Sequence, residues 1–523
     1  MDSRANTLHE TYSLLDEKTL SDLEGDMIRE ETLRLFPSQP WLDSTLNFLR
    51  GVRPTAYRTL AKRSCLNLLP SFVQHWIGFD RSKPETLSPT AYLDGMRGLA
   101  ALFVFFCHFS YSCFVITRGY GFGEPGENNH ILQLPIIRLF YSGPPMVCIF
   151  FVISGYALSL KPLKLLRSQS WEKFFTTMSS SIFRRGIRLF TPTTVSTFMV
   201  IIMLRLGFYE PTRAFSENRE LLRNVLEYHP HLRDTFYNQF WDWVWHMWNF
   251  VHVWSWEPFG GTTSYDVHLW TIPVEFRCSL MLFLALIGLA RVRTALRFTF
   301  LFLLVWFTYY WSRWEMVLFY SGMFLAELDI IRGVHRNAST SAVSPSNAGS
   351  PRDTVTKSRY SLQILWIALA IFSLYLMSQP DDDFAETPGW IWLSTYIPEW
   401  FGEKYRYYQC IGAMLFVLCT SYCSLLQKPF NTPLVQYFGK ISYSLYLMHG
   451  PVIHVIGYRI EPWAWSITGS EPGFRYKAGF LLSSIFIVPI TIWAADLFWR
   501  AVDAPSVRFA RWLETMCVQA EPS

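Results

Sequence analysis

Charge is what this sequence is short of. Asp, Glu, Lys and Arg make up 17% of its 523 residues, against about 25% in soluble globular proteins. The shortage is concentrated in Gly98–Thr117, Leu139–Leu160, Ser361–Pro380, Tyr407–Gln427 and Ala478–Ala495, which carry none of the four. Apolar runs of about 20 residues cross a bilayer, so a soluble multidomain protein is excluded. A basic patch is lacking too. The net charge is only +5, and the Lys and Arg residues flank apolar runs instead of gathering on one face, which argues against nucleic acid as a partner. The nine cysteines are odd in number and contain no C-x-x-C pair, so neither a disulfide framework nor a zinc site is readable, and no metal is expected. Cys107, Cys113, Cys148 and Cys419 lie in or beside apolar runs, where a thiol behaves as a small hydrophobe. The N-terminus lacks the short apolar core of a cleavable signal peptide, and no internal repeat of the transporter kind is evident.

What is there reads as an all-α, polytopic transmembrane helix bundle. Apolar runs ended by Trp, Tyr, Lys and Arg predict about ten spans: 94–116, 144–160, 190–207, 269–290, 297–312, 314–331, 361–378, 408–427, 440–458 and 477–499. Lys161, Lys164, Arg167, Lys173, Arg184, Arg185 and Arg188 mark one connection as cytosolic, and Arg291, Arg293 and Arg297 mark another. Asp381, Asp382 and Asp383 fall on the opposite side, and an even number of spans places both termini in the cytosol. Four regions flank or interrupt the bundle of residues 91–505. Residues 1–90 read as a cytosolic segment, partly disordered or lying on the membrane surface, and 506–523 as a cytosolic tail. Residues 333–359, polar and without an apolar period, read as a disordered cytosolic linker. Residues 208–268 form an outer segment ending in Trp241, Trp243, Trp245, Trp248, Trp254 and Trp256, which suits either interfacial anchoring or a stacking floor for a substrate.

Ionisable groups inside spans cost roughly 2.5–3.5 kcal/mol each on insertion scales, so they point to function. His108 follows Arg97 by eleven residues, about three helical turns plus 20° and a rise of about 16 Å. The two share a face, with the cation nearer the cytosol. Glu275, about 10 Å below the other interface, reaches a similar depth and is expected to meet His108 and fix its tautomer. His449 falls in the same layer, although a single histidine between helices is equally consistent with a structural role. Arg184, Arg185 and Arg188 fit either a topology signal or a phosphate site.

These stretches resemble the acyltransferase 3 family of integral membrane O-acyltransferases. Asp94-Gly95-Met96-Arg97-Gly98 through His108 is similar to its opening motif, and Phe150-Phe151-Val152-Ile153-Ser154-Gly155-Tyr156 to its phenylalanine-rich element. Arg184-Arg185-Gly186-Ile187-Arg188-Leu189 resembles its basic segment, Trp270 to Glu275 its W-x-x-x-x-E element, and Ser442 to His449 its S-Y-x-L-Y-L-x-H element. The N-terminal extension and the linker look like those of a fungal-type member. The resemblance implies transfer of an acyl group, most often acetyl, from acetyl-CoA or another acyl-CoA to a hydroxyl of a small metabolite or a glycan. It gives His108 the role of general base, with Glu275 orienting it and Ser154, Tyr446 or His449 stabilising the oxyanion. Arg97, Arg184, Arg185 and Arg188 are expected to face coenzyme A phosphates. The competing class is a polytopic transporter, since intramembrane Arg, His and Glu can also relay protons. The lipid bilayer is a partner on either reading, and the endoplasmic reticulum and the plasma membrane both suit it.

Overall fold

The computed structural model describes residues 66, 68–77, 87–254, 261–333 and 352–518. Met1–Leu69 and Pro70–Ser523 are separate compact units, and the second contains every element discussed below. Most of the N-terminal segment, most of the expected linker and Trp256 lie outside the described residues.

Among the described residues the regular secondary structure is helical apart from a short extended stretch at Pro125–Asn128, with irregular connections between the helices. The principal helices are α1 (Ala91–Tyr111), α2 (Gly143–Arg167), α3 (Trp171–Arg205), α4 (Phe236–Phe250), α5 (Thr271–Gly288), α6 (Thr294–Tyr310) and α7 (Trp314–Arg332). They continue with α8 (Arg352–Met377), α9 (Arg406–Tyr422), α10 (Pro433–Val452), α11 (Tyr458–Thr468), α12 (Phe474–Phe498) and α13 (Ala504–Cys517). A helix thus occupies each stretch read as a span. Among the described residues five segments are long and apolar enough to cross a bilayer: Ala91–Tyr111, Gly143–Arg167, Trp171–Arg205, Val267–Gly288 and Phe474–Cys517. The shorter count has a physical source. Thr294–Tyr310 and Ser361–Met377 are apolar but shorter, α9 has 17 residues and carries buried Arg406 and Gln409, and α7 and α10 carry buried polar groups, Glu315, Glu327 and Asp329 in the one and Ser442, Ser444 and His449 in the other, which lower their hydropathy. The protein is an integral membrane protein whose polar groups face inward.

Several boundaries differ from the sequence reading. α1 ends at Tyr111 instead of 116, which leaves His108 one turn from the helix end. α3 begins at Trp171, so Arg184, Arg185 and Arg188 lie inside a 35-residue helix and not in a connection. Neither Gly186 nor Pro192 breaks it, although Pro192 forfeits one backbone hydrogen bond. α8 begins at Arg352, inside the stretch expected to be linker.

Two glycine contacts fix the helices that matter most. A side chain at Gly98 would run into the backbone of Gly439, and one at Gly439 would meet the carbonyl of Asp94. α1 and α10 therefore lie backbone to backbone, and they run in parallel. Gln436 Nε2 donates to the Ala91 carbonyl at 2.7 Å, and Arg97 Nε donates to Ser442 Oγ at 3.1 Å. From Gly98 and Gly439 each helix runs ten residues to its histidine, His108 and His449, so the close approach sets the two rings side by side. Gly98→Val is expected to cost about 1–3 kcal/mol of stability through overpacking and to depress activity beyond that loss, because the separation of the two rings widens. Thermal unfolding in detergent, compared with turnover measured well below the transition, checks both.

α4 shows what the Trp-rich segment does locally. Thr235 Oγ1 accepts from the Asn238 amide at 3.1 Å and caps its start. Trp243, Met247 and Phe250 are buried against α3, while Tyr237, Trp241, Trp245 and Trp248 form an exposed stripe on the opposite face. Both faces are apolar, and the outward one has the composition of an interfacial girdle.

Candidate active site

The parallel packing of α1 and α10 brings His108 and His449 into a stacked arrangement with ring centroids 5.1 Å apart. A third imidazole joins them. His268, in the 3₁₀ turn Val267–Trp270 that leads into α5, lies 4.2 Å from the His108 ring and 4.9 Å from that of His449. In the sequence His268 stands just outside the expected span 269–290, with nothing to mark it as part of a site.

The three rings differ in their hydrogen bonding. His268 Nδ1 is 2.8 Å from Asp266 Oδ1 and its Nε2 is 2.7 Å from Glu227 Oε1. A ring with a carboxylate at each nitrogen donates from both, the pattern of an imidazolium. Glu227 also reaches His454, whose Nε2 lies 3.1 Å from its second oxygen. His454 sits in the π-helical turn Ile453–Gly457 that follows α10, a local widening common at functional sites. Burial alone would raise the Glu227 carboxyl, but His268 and His454 overrule it and hold it well below the usual carboxylate range. By contrast, both nitrogens of His449 and Nδ1 of His108 are buried with no hydrogen-bond partner. Buried polar atoms are nearly always satisfied, so these three are open to a ligand or to water.

The three histidines also bring nitrogen atoms within 4.8 Å of one another, a spacing that could hold a metal ion. The donor set fits poorly. Both His268 nitrogens are already committed to carboxylates, which leaves two free imidazoles where a catalytic zinc takes three protein ligands.

Glu275 is not where the sequence arithmetic put it. Its Oε1 accepts from Arg185 Nη2 at 2.7 Å and from Ser154 Oγ at 3.0 Å, and the expected contact with His108 is not made. The reason is depth. His108 lies near the end of α1, level with the entrance to α5, whereas Glu275 is seven residues further along, about 10 Å away.

Glu275 instead belongs to a cavity of about 500 Å³ whose wall includes Arg97, Arg185, Arg188, Lys440 and Asp503. Four cationic side chains there face two carboxylates, Glu275 and Asp503. Arg188 has no ion-pair partner among the described residues, and Arg97 is held by Asp94 at 3.1 Å and by Ser442. Ser154 and Tyr446 line the same cavity. Tyr446 accepts from Thr271 Oγ1 at 2.7 Å and donates to the His268 carbonyl, tying α10 to the turn that carries His268. Arg184 does not take part. It pairs with Glu514 of α13 at 3.0 Å and is not among the residues that line the cavity.

A second cavity, of about 400 Å³, opens at the far end of α1 and is lined by Tyr111, Glu227, Asp266 and Gly450 among others. The histidines lie between the two. On α1 the first cavity touches Val104 and the second Tyr111; on α10 they touch Tyr446 and Gly450; around His268 they touch Thr271 and Asp266. None of the three rings lines either cavity; the residues on each side of them do.

Comparison with known proteins agrees with the motifs that these residues compose. The model of the acyltransferase 3 family, described as an acyltransferase domain, matches residues 90–500. The chain is 33% identical to the O-acetyltransferase PaAT-1 of Phomopsis amygdali over 87% of its own length and 89% of that protein's. It is 25% identical to acyltransferase R4 of a Phoma species and 26% identical to acyltransferase clz18 of Cochliobolus lunatus, over 81% of its length and 95% of theirs in each case. No solved structure matches it. With the arginines of the first cavity, the three histidines and the motif elements all inside the matched region, the chain belongs to the acyltransferase 3 family and is an O-acyltransferase.

Proposed function

We propose that this protein transfers an acyl group, most simply acetyl, from a cytosolic acyl-CoA to a hydroxyl of a small metabolite or a carbohydrate, as a multi-pass protein of the endoplasmic reticulum or plasma membrane with cytosolic termini. The observation that carries the proposal is the cavity lined by Arg97, Arg185 and Arg188, whose wall reaches Val104 and Tyr446, one turn from the unpartnered imidazoles of His108 and His449. Guanidinium groups match phosphate geometry, and Arg188, free of any ion pair among the described residues, can meet an anion without giving up a bond. Coenzyme A phosphates at that end place the thioester at the histidine layer.

The chemistry then follows from the rings. An alcohol is almost un-ionised at neutral pH and needs a base of moderate strength. His108 takes the hydroxyl proton as the alkoxide oxygen attacks the thioester carbonyl. Negative charge gathers on the carbonyl oxygen, where an N–H of His449 and the fixed positive charge of His268 stabilise it. Collapse of the tetrahedral intermediate breaks the carbon–sulfur bond, and His108 returns the proton to the departing thiolate. Glu275 acts on the donor side: it holds Arg185 and Ser154 in place and does not orient the base.

Purified protein supplied with radiolabelled acetyl-CoA and a crude metabolite extract tests this reading: label should move covalently to an acceptor. Solute flux without a covalent product would support transport instead. Arg188→Ala should weaken coenzyme A binding about tenfold or more, the worth of one charge-assisted contact, and should leave folding intact because no ion pair is lost. Equilibrium binding of coenzyme A measures it.

A further inference from the structure

The second cavity is shaped for a different molecule from the first. Four tyrosines, Tyr111, Tyr209, Tyr228 and Tyr265, stand in its wall, and it lacks the guanidinium cluster of the donor side. Among them are polar atoms with nothing to bond. Asp266 spends Oδ1 on His268, while its Oδ2 is buried and unpartnered. His229 is 4% exposed, and neither of its ring nitrogens has a partner. Buried groups left open in this way are satisfied by ligand or water. Gly450 keeps the approach clear, because a methyl group there would lie 3.0 Å from Asp266 Oδ2 and 2.9 Å from His268 Nδ1.

We propose that this cavity is the acceptor site, and that it takes a neutral ring compound bearing several hydroxyl groups. The inference rests on the acyl-transfer reading above and adds to it the class of acceptor and the side from which it enters. Aromatic walls suit the apolar face of a ring, and the open polar atoms are matched to hydroxyls. A carboxylate oxygen accepts from one hydroxyl. His229 is pushed down to about 3 by burial, with His454 and Arg213 adding to the effect, so it stays neutral near pH 7 and offers one donor and one acceptor. The paired carboxylates Glu227 and Asp266, with His268 as their shared counter-charge, disfavour an anion. A hydroxyl held at Asp266 Oδ2 lies beside the histidine layer, which leaves a neighbouring hydroxyl of the same ring for His108.

The test uses the full-length protein in phosphatidylcholine nanodiscs, which hold no sugar detergent, with four probes. These are phenyl β-glucoside (neutral, several hydroxyls), 2-phenylethanol (one hydroxyl), phenyl β-glucuronide (anionic) and 2-phenylethylamine (cationic). Calorimetry without acyl donor should show the glucoside binding at least tenfold more tightly than the other three. His229→Leu and Tyr228→Ala should each weaken it severalfold, with coenzyme A affinity unchanged. Tyr228 is 64% exposed, so its removal leaves the fold intact even if the His229 variant misfolds. Absent glucoside binding, equal or tighter binding of the mono-alcohol or the amine, or indifference to both substitutions would overturn the inference. Failure of the wild-type protein to bind coenzyme A is a separate result, which would remove the acyl-transfer reading and the role of acceptor while leaving a polyol site in place.

Discussion

His108→Ala should lower acyl transfer by about 10²–10⁴-fold, the usual worth of a positioned acid–base group, with coenzyme A affinity and thermal stability close to those of the wild type. The expectation combines two features of the ring. His108 does not line the arginine cavity, so its loss leaves untouched the side chains proposed to meet coenzyme A phosphates. It also makes no hydrogen bond through Nδ1, so truncation strands no protein partner. His449→Ala offers the informative contrast. If His449 donates to the developing oxyanion, its removal should cost about 10²–10³ and should leave the pH profile of the remaining activity in place, whereas removal of the base should alter that profile. Single-turnover transfer from labelled acetyl-CoA, followed against pH, separates the two. Wild-type rates in the His108 variant would remove the proposed base.

The parts of this site that were legible in the sequence depend on helical arithmetic. Arg97 and His108 lie on one helix, and eleven residues at a fixed pitch put them on one face whatever surrounds them. His449 was placed in the same layer by counting inward from residue 440, the expected start of its span, and the count served because α10 runs parallel to α1. Glu275 was misplaced because its depth was counted from assumed span ends, and α1 ends five residues earlier than assumed. With the true end at Tyr111, the partner of His108 had to be sought at the start of the fourth span, where Asp266-Val267-His268 offered an acidic residue two positions from an imidazole. Glu227 left no such trace. It lies in an irregular stretch without a period, and its contact with His268 spans 41 residues of sequence, so only folding brings the two together. Arg184 and Arg188 illustrate the same limit at close range. Four residues apart on α3, they were grouped as one basic segment, yet one reaches α13 and the other the cavity.

Glu227→Gln is expected to be the most destabilising polar substitution in the site, by about 3–5 kcal/mol, the cost of leaving a buried charge without its partner. The carboxylate lies between two rings, 2.7 Å from His268 and 3.1 Å from His454. An amide can accept from only one of them with its oxygen and must turn N–H toward the other. The pH dependence identifies the cause. Because the folded carboxyl is held well below its ordinary value of 4.5, its contribution to stability is fully present above the unfolded value and is lost as the pH falls through the folded one. The stability gap between wild type and variant should therefore be flat across neutral pH and narrow on acidification below about pH 4.5. Thermal unfolding in detergent from pH 7 downward measures that gap. A gap that widens in acid, or a variant as stable as the wild type at pH 7, would show that Glu227 is not the counter-charge of His268. Activity should fall along with stability at neutral pH, since a His268 released from Glu227 no longer holds its place and its charge beside His108.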